Sequence, residues 1–230
     1  MKRFTTLLAA TAAATCLSAG AAGAVPAPVP AAQDAPAGVS AFEPGKQGPE
    51  AAEQNERLLQ MAQQARLAAA TQSSGVESAT AVTQAVTITY NDDRAPQFDA
   101  LIDRSAQIWN SSVSSINLTD AGQGAQANIT YTEGNDPRGS WAMTYSFGNG
   151  EVFLDYAQSN EYDAQRIVTH ETGHILGLPD NYAGPCSELM SGGGPGPSCT
   201  NTYPNAQEIA QVEANASYYG YTGAQDAVTR

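Results

Sequence analysis

The stretch His170-Glu171-Thr172-Gly173-His174-Ile175-Leu176-Gly177-Leu178-Pro179-Asp180 decides how this chain reads. Histidines four residues apart on a helix project from one face, so both imidazoles reach a single zinc ion at about 2.0–2.1 Å. Glu171, next to the first histidine, lies beside that ion without ligating it and serves as the base for a water molecule that the metal acidifies. A bare His-Glu-x-x-His is only suggestive, but here it holds the only 2 histidines of 230 residues. Gly177 can take the positive φ that turns the chain back, which lets Asp180 offer a carboxylate oxygen as third ligand. Three protein ligands leave the fourth position for water, the catalytic rather than the structural arrangement.

Working outward, the spacing predicts a helix from about Tyr162 to Leu176, stopped by Gly177 and Pro179. Upstream, Phe98, Leu101, Ile102, Ser105, Ile108 and Trp109 recur at three- and four-residue steps, so Pro96 to Val113 is a second amphipathic helix. A third covers Asn205 to Tyr219. Strands are expected at Val86–Tyr90, Ile116–Leu118, Ala127–Thr132, Trp141–Phe147 and Val152–Tyr156, separated by turn-rich pieces such as Gly148-Asn149-Gly150. These elements fall within one domain of ordinary size, residues 85–230.

The first third of the chain is built differently. Met1-Lys2-Arg3, an apolar stretch from Phe4 to Leu17 and Ala22-Gly23-Ala24 match a signal peptide over 1–24. Its apolar run is short of the roughly 20 residues of a membrane span. Residues 25–49 are rich in proline and poor in large apolar side chains, so they are expected to be extended or disordered. A modest helix is expected over 50–70, and 25–84 reads as a propeptide, with a flexible spacer as the alternative. With Cys16 in the removed segment, Cys186 and Cys199 are left as an even pair, which in an exported protein suggests a disulfide. The formal charge of −13 argues against nucleic acid or anionic membrane as partner.

The His170–Asp180 stretch resembles the extended zinc motif of the metzincin clan, and aspartate as third ligand resembles the snapalysin family of small neutral proteases exported by actinomycetes. The similarity continues through Gly184–Cys199 and is visible in Ala106–Ser112 and Phe153–Tyr156. It implies an α+β fold, a mixed twisted sheet backed by helices with a zinc helix and a Met-turn, in which Met190 packs beneath the metal. It further implies the Cys186–Cys199 disulfide and a calcium ion near the start of the zinc helix. Asp163 and, through its backbone carbonyl, Gln165 would hold that ion; Asp163 as a helix N-cap is the rival reading.

The reaction expected is hydrolysis of internal peptide bonds, with an aromatic residue preferred just after the scissile bond, as the resemblance implies. A donor to the developing oxyanion is also expected. Tyr182 is the first candidate and Tyr203 the second; packing against the cleft wall is the alternative for either. Trp141–Ser146 is expected to be the edge strand that an extended substrate joins. The partners expected are protein or peptide substrates, with a secreted, monomeric chain. Two other classes compete: a zinc-binding protein without turnover, disfavoured by the intact Glu171, and a metal-free disulfide-stapled inhibitor or adhesion module.

Overall fold

The structure, a computed structural model, describes residues 40–46, 51–74 and 85–220. The expected signal peptide and Cys16 lie outside the described residues. Strand β1 (Ser40–Ala41) and helix α1 (Ala51–Ser74) come from the N-terminal third. There follow β2 (Val86–Arg94), α2 (Asp99–Ser112), β3 (Ile116–Asp120), β4 (Ile129–Gly134), β5 (Trp141–Ser146) and β6 (Asn149–Asp155). Helices α3 (Tyr156–Glu161), α4 (Ala164–Ile175) and α5 (Ala206–Asn215) follow, with a 3-10 turn at Leu189–Ser191 before α5 and a π-helical turn at Ala216–Gly220 after it.

The strands form one mixed sheet in the order β1-β5-β6-β4-β2-β3. Pairs β2/β3, β2/β4 and β4/β6 are parallel, which requires crossovers, and α2 supplies the one between β2 and β3. Only β5 and β1 run antiparallel to their neighbours. In β2 the alternation of Ile88 and Tyr90 with Thr87 and Thr89 sends one set of side chains into the core. There they meet Ile129, Tyr131, Val152 and Leu154 of the neighbouring strands, Ile102 and Trp109 of α2, and Ile167, Val168 and Ile175 of α4. On the other face Trp141 and Phe153, paired across β5 and β6, stack with ring centroids 5.5 Å apart. Among the described residues no helix is long and apolar enough to cross a membrane.

The N-terminal third holds more order than its composition indicated. Residues 40–46 fall in a stretch expected to be extended or disordered, yet Ser40 and Ala41 pair with Ala142 and Trp141, and Phe42 is fully buried. The partner strand supplies the burial that composition could not indicate. The expected helix over 50–70 extends to Ser74 and docks on α5, where Gln211 donates to the Ala62 carbonyl at 3.1 Å. Short α3, started by the Asp155 carboxylate accepting from the Gln158 amide at 2.7 Å, was hidden within a longer polar stretch.

At the end of β2 the register shifts between Asn91 and Arg94, and the Asp92, Asp99 and Asp103 carboxylates come within 4.8 Å of one another. Burial, and then the neighbouring charges of Asp99, Asp120 and Asp103, raise the Asp92 carboxyl to about 6. A group whose folded pKa exceeds its unfolded one stabilises the fold while protonated and ceases to do so as pH rises through the folded value. Asp92→Asn is therefore expected to raise Tm relative to the parent chain at about pH 8 but not at about pH 4. Thermal melts across that range check it, and a pH-independent difference would contradict it.

Candidate active site

Helix α4 carries the site. Asp163 caps its start, the side chain accepting from the Arg166 amide at 2.8 Å. At its end Gly177 takes φ +82°, and two hydrogen bonds, Gly177 N to His174 O at 2.9 Å and Leu178 N to Gly173 O at 3.0 Å, close a Schellman cap. That cap returns the chain along the helix, so the Leu178 carbonyl meets His174 Nδ1 at 2.8 Å. The Leu189 carbonyl meets His170 Nδ1 at 3.0 Å. Each ring spends its one N–H on a carbonyl, which leaves both Nε2 lone pairs free and turned inward.

The two Nε2 atoms lie 3.1 Å apart, and Asp180 Oδ1 is 3.3 Å from each. A tetrahedral zinc with bonds of about 2.0–2.1 Å sets its ligand atoms about 3.3–3.4 Å apart, so this triangle has the dimensions of three corners of such a site. In neutral rings whose Nδ1–H groups face these carbonyls, no hydrogen bond joins the two Nε2 atoms. The Asp180 and Glu171 carboxylate oxygens are buried and have no hydrogen-bond partner among the described residues. Buried carboxylates without donors are costly unless a cation accompanies them. The donor set therefore fits a zinc ion.

Electrostatics separates the roles. Burial, then the charge of Asp180, pushes the Glu171 carboxyl well above its ordinary range. Burial chiefly lowers His170, favouring the neutral ring that ligates metal. On the side of α4 away from the ligands, Thr172 donates to the Val168 carbonyl at 2.7 Å. Its oxygen then accepts from Tyr131 and Ser105, at 2.9 and 3.1 Å, which fixes the helix against β4 and α2.

Beneath α4, Met190 lies so close that a Cβ added at Gly173 would sit 2.8 Å from its sulfur. Met190 thus packs against α4 at Gly173. The Met190 turn is fixed from two sides. Glu208 accepts from the Leu189 and Met190 amides at 3.1 and 2.7 Å. Arg166, only 1% exposed, donates to the carbonyls of Glu188, Gly192 and Asn201 and to Ser191 Oγ, at 2.7 to 3.2 Å. Sequence reasoning missed Arg166, although Arg166, His170 and His174 at four-residue steps share one helix face. Cys186 and Cys199 are joined by a disulfide.

Of the other expected residues, Tyr182 reaches the cleft, where its hydroxyl donates to the Ala41 carbonyl. Tyr203 does not: it is 46% exposed and its hydroxyl accepts from Arg104 at 3.0 Å. Gln165 turns its side chain to the Leu101 carbonyl at 3.0 Å, while its own carbonyl accepts from Thr169 at 2.9 Å. Asp163 is the N-cap, and among the described residues no second and third carboxylate gather around it. Strand β5 is the edge of the sheet formed by residues 85–220 and accepts β1 as an added strand.

With the geometry in place, residues 85–220 match the sequence model of the Streptomyces extracellular neutral proteinase (M7) family. The extracellular small neutral protease of Streptomyces lividans is 56% identical over 142 residues, 62% of this chain and 61% of that protein. The extracellular small neutral protease of Streptomyces caespitosus is 59% identical over 129 residues, 56% of this chain and 96% of that protein. The match thus spans about three fifths of the first relative and nearly all of the second. Archaemetzincin from Methanopyrus kandleri aligns over 60% of this chain and 99% of its own, with a TM-score of 0.39 and 10% identity, too slight a likeness to argue from.

Proposed function

This chain belongs to the Streptomyces extracellular neutral proteinase (M7) family, and from that premise we propose that it is a secreted zinc metalloendopeptidase. The observation that carries the proposal is the triangle of His170 Nε2, His174 Nε2 and Asp180 Oδ1, with edges of 3.1 to 3.3 Å, beside an unpartnered Glu171. Secretion is supported by the names of the relatives and by the N-terminal signal pattern. The family match begins at residue 85, which supports reading 25–84 as a propeptide and 85–230 as the mature domain.

His170, His174 and Asp180 would hold the zinc, which when bound supplies Lewis acidity toward water and toward a carbonyl oxygen. The chain's own groups do the rest. Glu171, buried beside the two histidines and without a hydrogen-bond partner, would accept a proton from the attacking water and return it to the leaving amine. Tyr182 donates to the carbonyl oxygen, a bond that strengthens as negative charge develops there. Strand β5 offers its edge to an extended peptide. An aromatic side chain just after the scissile bond would suit the recess between Tyr162 and His170, which holds the Phe42 ring at centroid distances of 5.3 and 5.2 Å. Calcium has less support, because the Asp163 carboxylate is engaged as a helix cap.

Purified active protein is expected to hydrolyse casein, to lose that activity to a zinc chelator and to regain it with zinc. Binding to the folded state also stabilises it: zinc at about a thousand times its Kd adds ~4 kcal/mol, read as a rise in Tm of the metal-free chain. Casein hydrolysis that survives full metal removal would refute the proposal, as would an unchanged Tm.

A further inference from the structure

The Ser40–Lys46 stretch crosses the site in the manner of a bound peptide. Ser40 and Ala41 pair antiparallel with Ala142 and Trp141 of β5. Phe42 is held from both rims: its amide donates to the Ser140 carbonyl at 3.2 Å, and its carbonyl accepts from the Gly193 amide at 2.8 Å. The Phe42 ring is fully buried, edge-on to His170 at 5.2 Å. The carbonyl just before it, that of Ala41, accepts from the Tyr182 hydroxyl. One peptide bond therefore has its carbonyl on a hydrogen-bond donor and its following side chain against a metal-ligating ring. That bond is Ala41–Phe42.

Nothing in the stretch competes for the metal. Its one carboxylate, Glu43, is engaged by Lys46 at 2.6 Å, by Tyr162 at 3.2 Å and by Gln158 at 3.3 Å. Among the described residues no side chain of the stretch hydrogen-bonds to Glu171, so the base remains free. A segment that blocked the site by ligation would occupy the position water needs; this one presents a peptide bond and leaves the base unengaged.

We propose that the chain is its own first substrate and hydrolyses the Ala41–Phe42 bond in cis, an inference that rests on the hydrolase function proposed above. The water oxygen adds to the Ala41 carbonyl carbon while Glu171 takes the water's proton. Glu171 passes that proton to the Phe42 nitrogen as the C–N bond breaks, and the second proton of the water moves from the new carboxyl group at Ala41 to the freed amine, leaving a carboxylate at Ala41 and an ammonium at Phe42. Water is the only co-reactant. Tyr182 holds the carbonyl oxygen throughout. The cut frees Ser40 and Ala41 from the rest of the segment. Helix α1 stays docked, with Gln54 donating to the Ala142 carbonyl at 3.0 Å and Asn55 accepting from the Asp180 amide at 2.8 Å.

The full chain, purified in chelator and started by adding zinc with casein present, is expected to yield a new N-terminus at Phe42 and a fragment ending at Ala41. The rate should be first order and independent of protein concentration, and Glu171→Gln should abolish it. Casein hydrolysis with Ala41–Phe42 left intact overturns self-cleavage alone. A zinc-loaded chain that cuts neither overturns the hydrolase function as well. A rate that climbs with protein concentration overturns the cis route. Occupancy is read without any turnover: in the metal-free chain the Phe42 and Gly193 amides should exchange hydrogen slowly, and Phe42→Asp should release both while casein hydrolysis persists after zinc is added. Fast exchange at both amides in the parent chain overturns the proposal.

Discussion

Glu171→Gln is expected to lower peptide hydrolysis by about 10²–10⁴-fold, the usual contribution of a positioned general base, with zinc content unchanged. The amide keeps the size of the carboxylate, so packing of a fully buried side chain is preserved. It cannot accept a proton, and it removes a negative charge that neighbours Asp180. None of the three proposed metal donor atoms belongs to residue 171, so the zinc site should stay filled. Metal analysis beside single-turnover kinetics checks the pair of claims. A variant that lost zinc in proportion to activity would make Glu171 a structural member of the site, and one that hydrolysed casein at the parent rate would remove it from the chemistry.

Arg166→Met should cost ~3 kcal/mol or more of folding stability, because a buried carbonyl left without its donor costs about 1–3 kcal/mol and Arg166 serves several. Methionine roughly fills the space but donates nothing, so the carbonyls of Glu188, Gly192 and Asn201 lose their guanidinium partner. Buried carbonyls left without donors account for much of that cost. Arg166→Lys should recover only part, because an ammonium lacks the planar fork that spans several acceptors. Urea midpoints at constant m-value measure both. The loss should extend to the site, since the same loop supplies the Leu189 carbonyl that orients His170. A cost below about 1 kcal/mol, the worth of one ordinary hydrogen bond, would contradict the network.

The site was legible because its parts lie close together in the chain and obey local rules. His170 and His174 share a helix face, Gly177 closes a cap by positive φ, and Asp180 follows within reach of the returned chain. The strands of residues 85–220 were likewise readable from alternation, with shifts at their ends: β6 begins at Asn149 rather than Val152, because its pairing with β5 starts at the turn. What was hidden depends on distant partners. Sheet order is set by crossovers and carries no local signature. The two residues of β1 are too few for any periodicity, and the burial of Phe42 depends on the distant Tyr162, His170 and Gly193. Asp163 carried both a cap and a cation reading in sequence, and the contact to the Arg166 amide, which shows the cap, depends on how the helix start folds.

The pairing of β1 with β5 also bears on how the chain survives before it is finished. A bare sheet edge is a template on which another chain can add a strand, and such encounters are most frequent while folding is incomplete. Here the Trp141–Ala142 end of that edge is covered by residues that precede it in the chain and are therefore made first. Each molecule brings its own edge guard, tethered and so at high local concentration, and neighbouring copies must compete with it. That end of the edge, which the proposed peptide substrates would use, is thereby covered against sister chains during the interval when they would be most harmful.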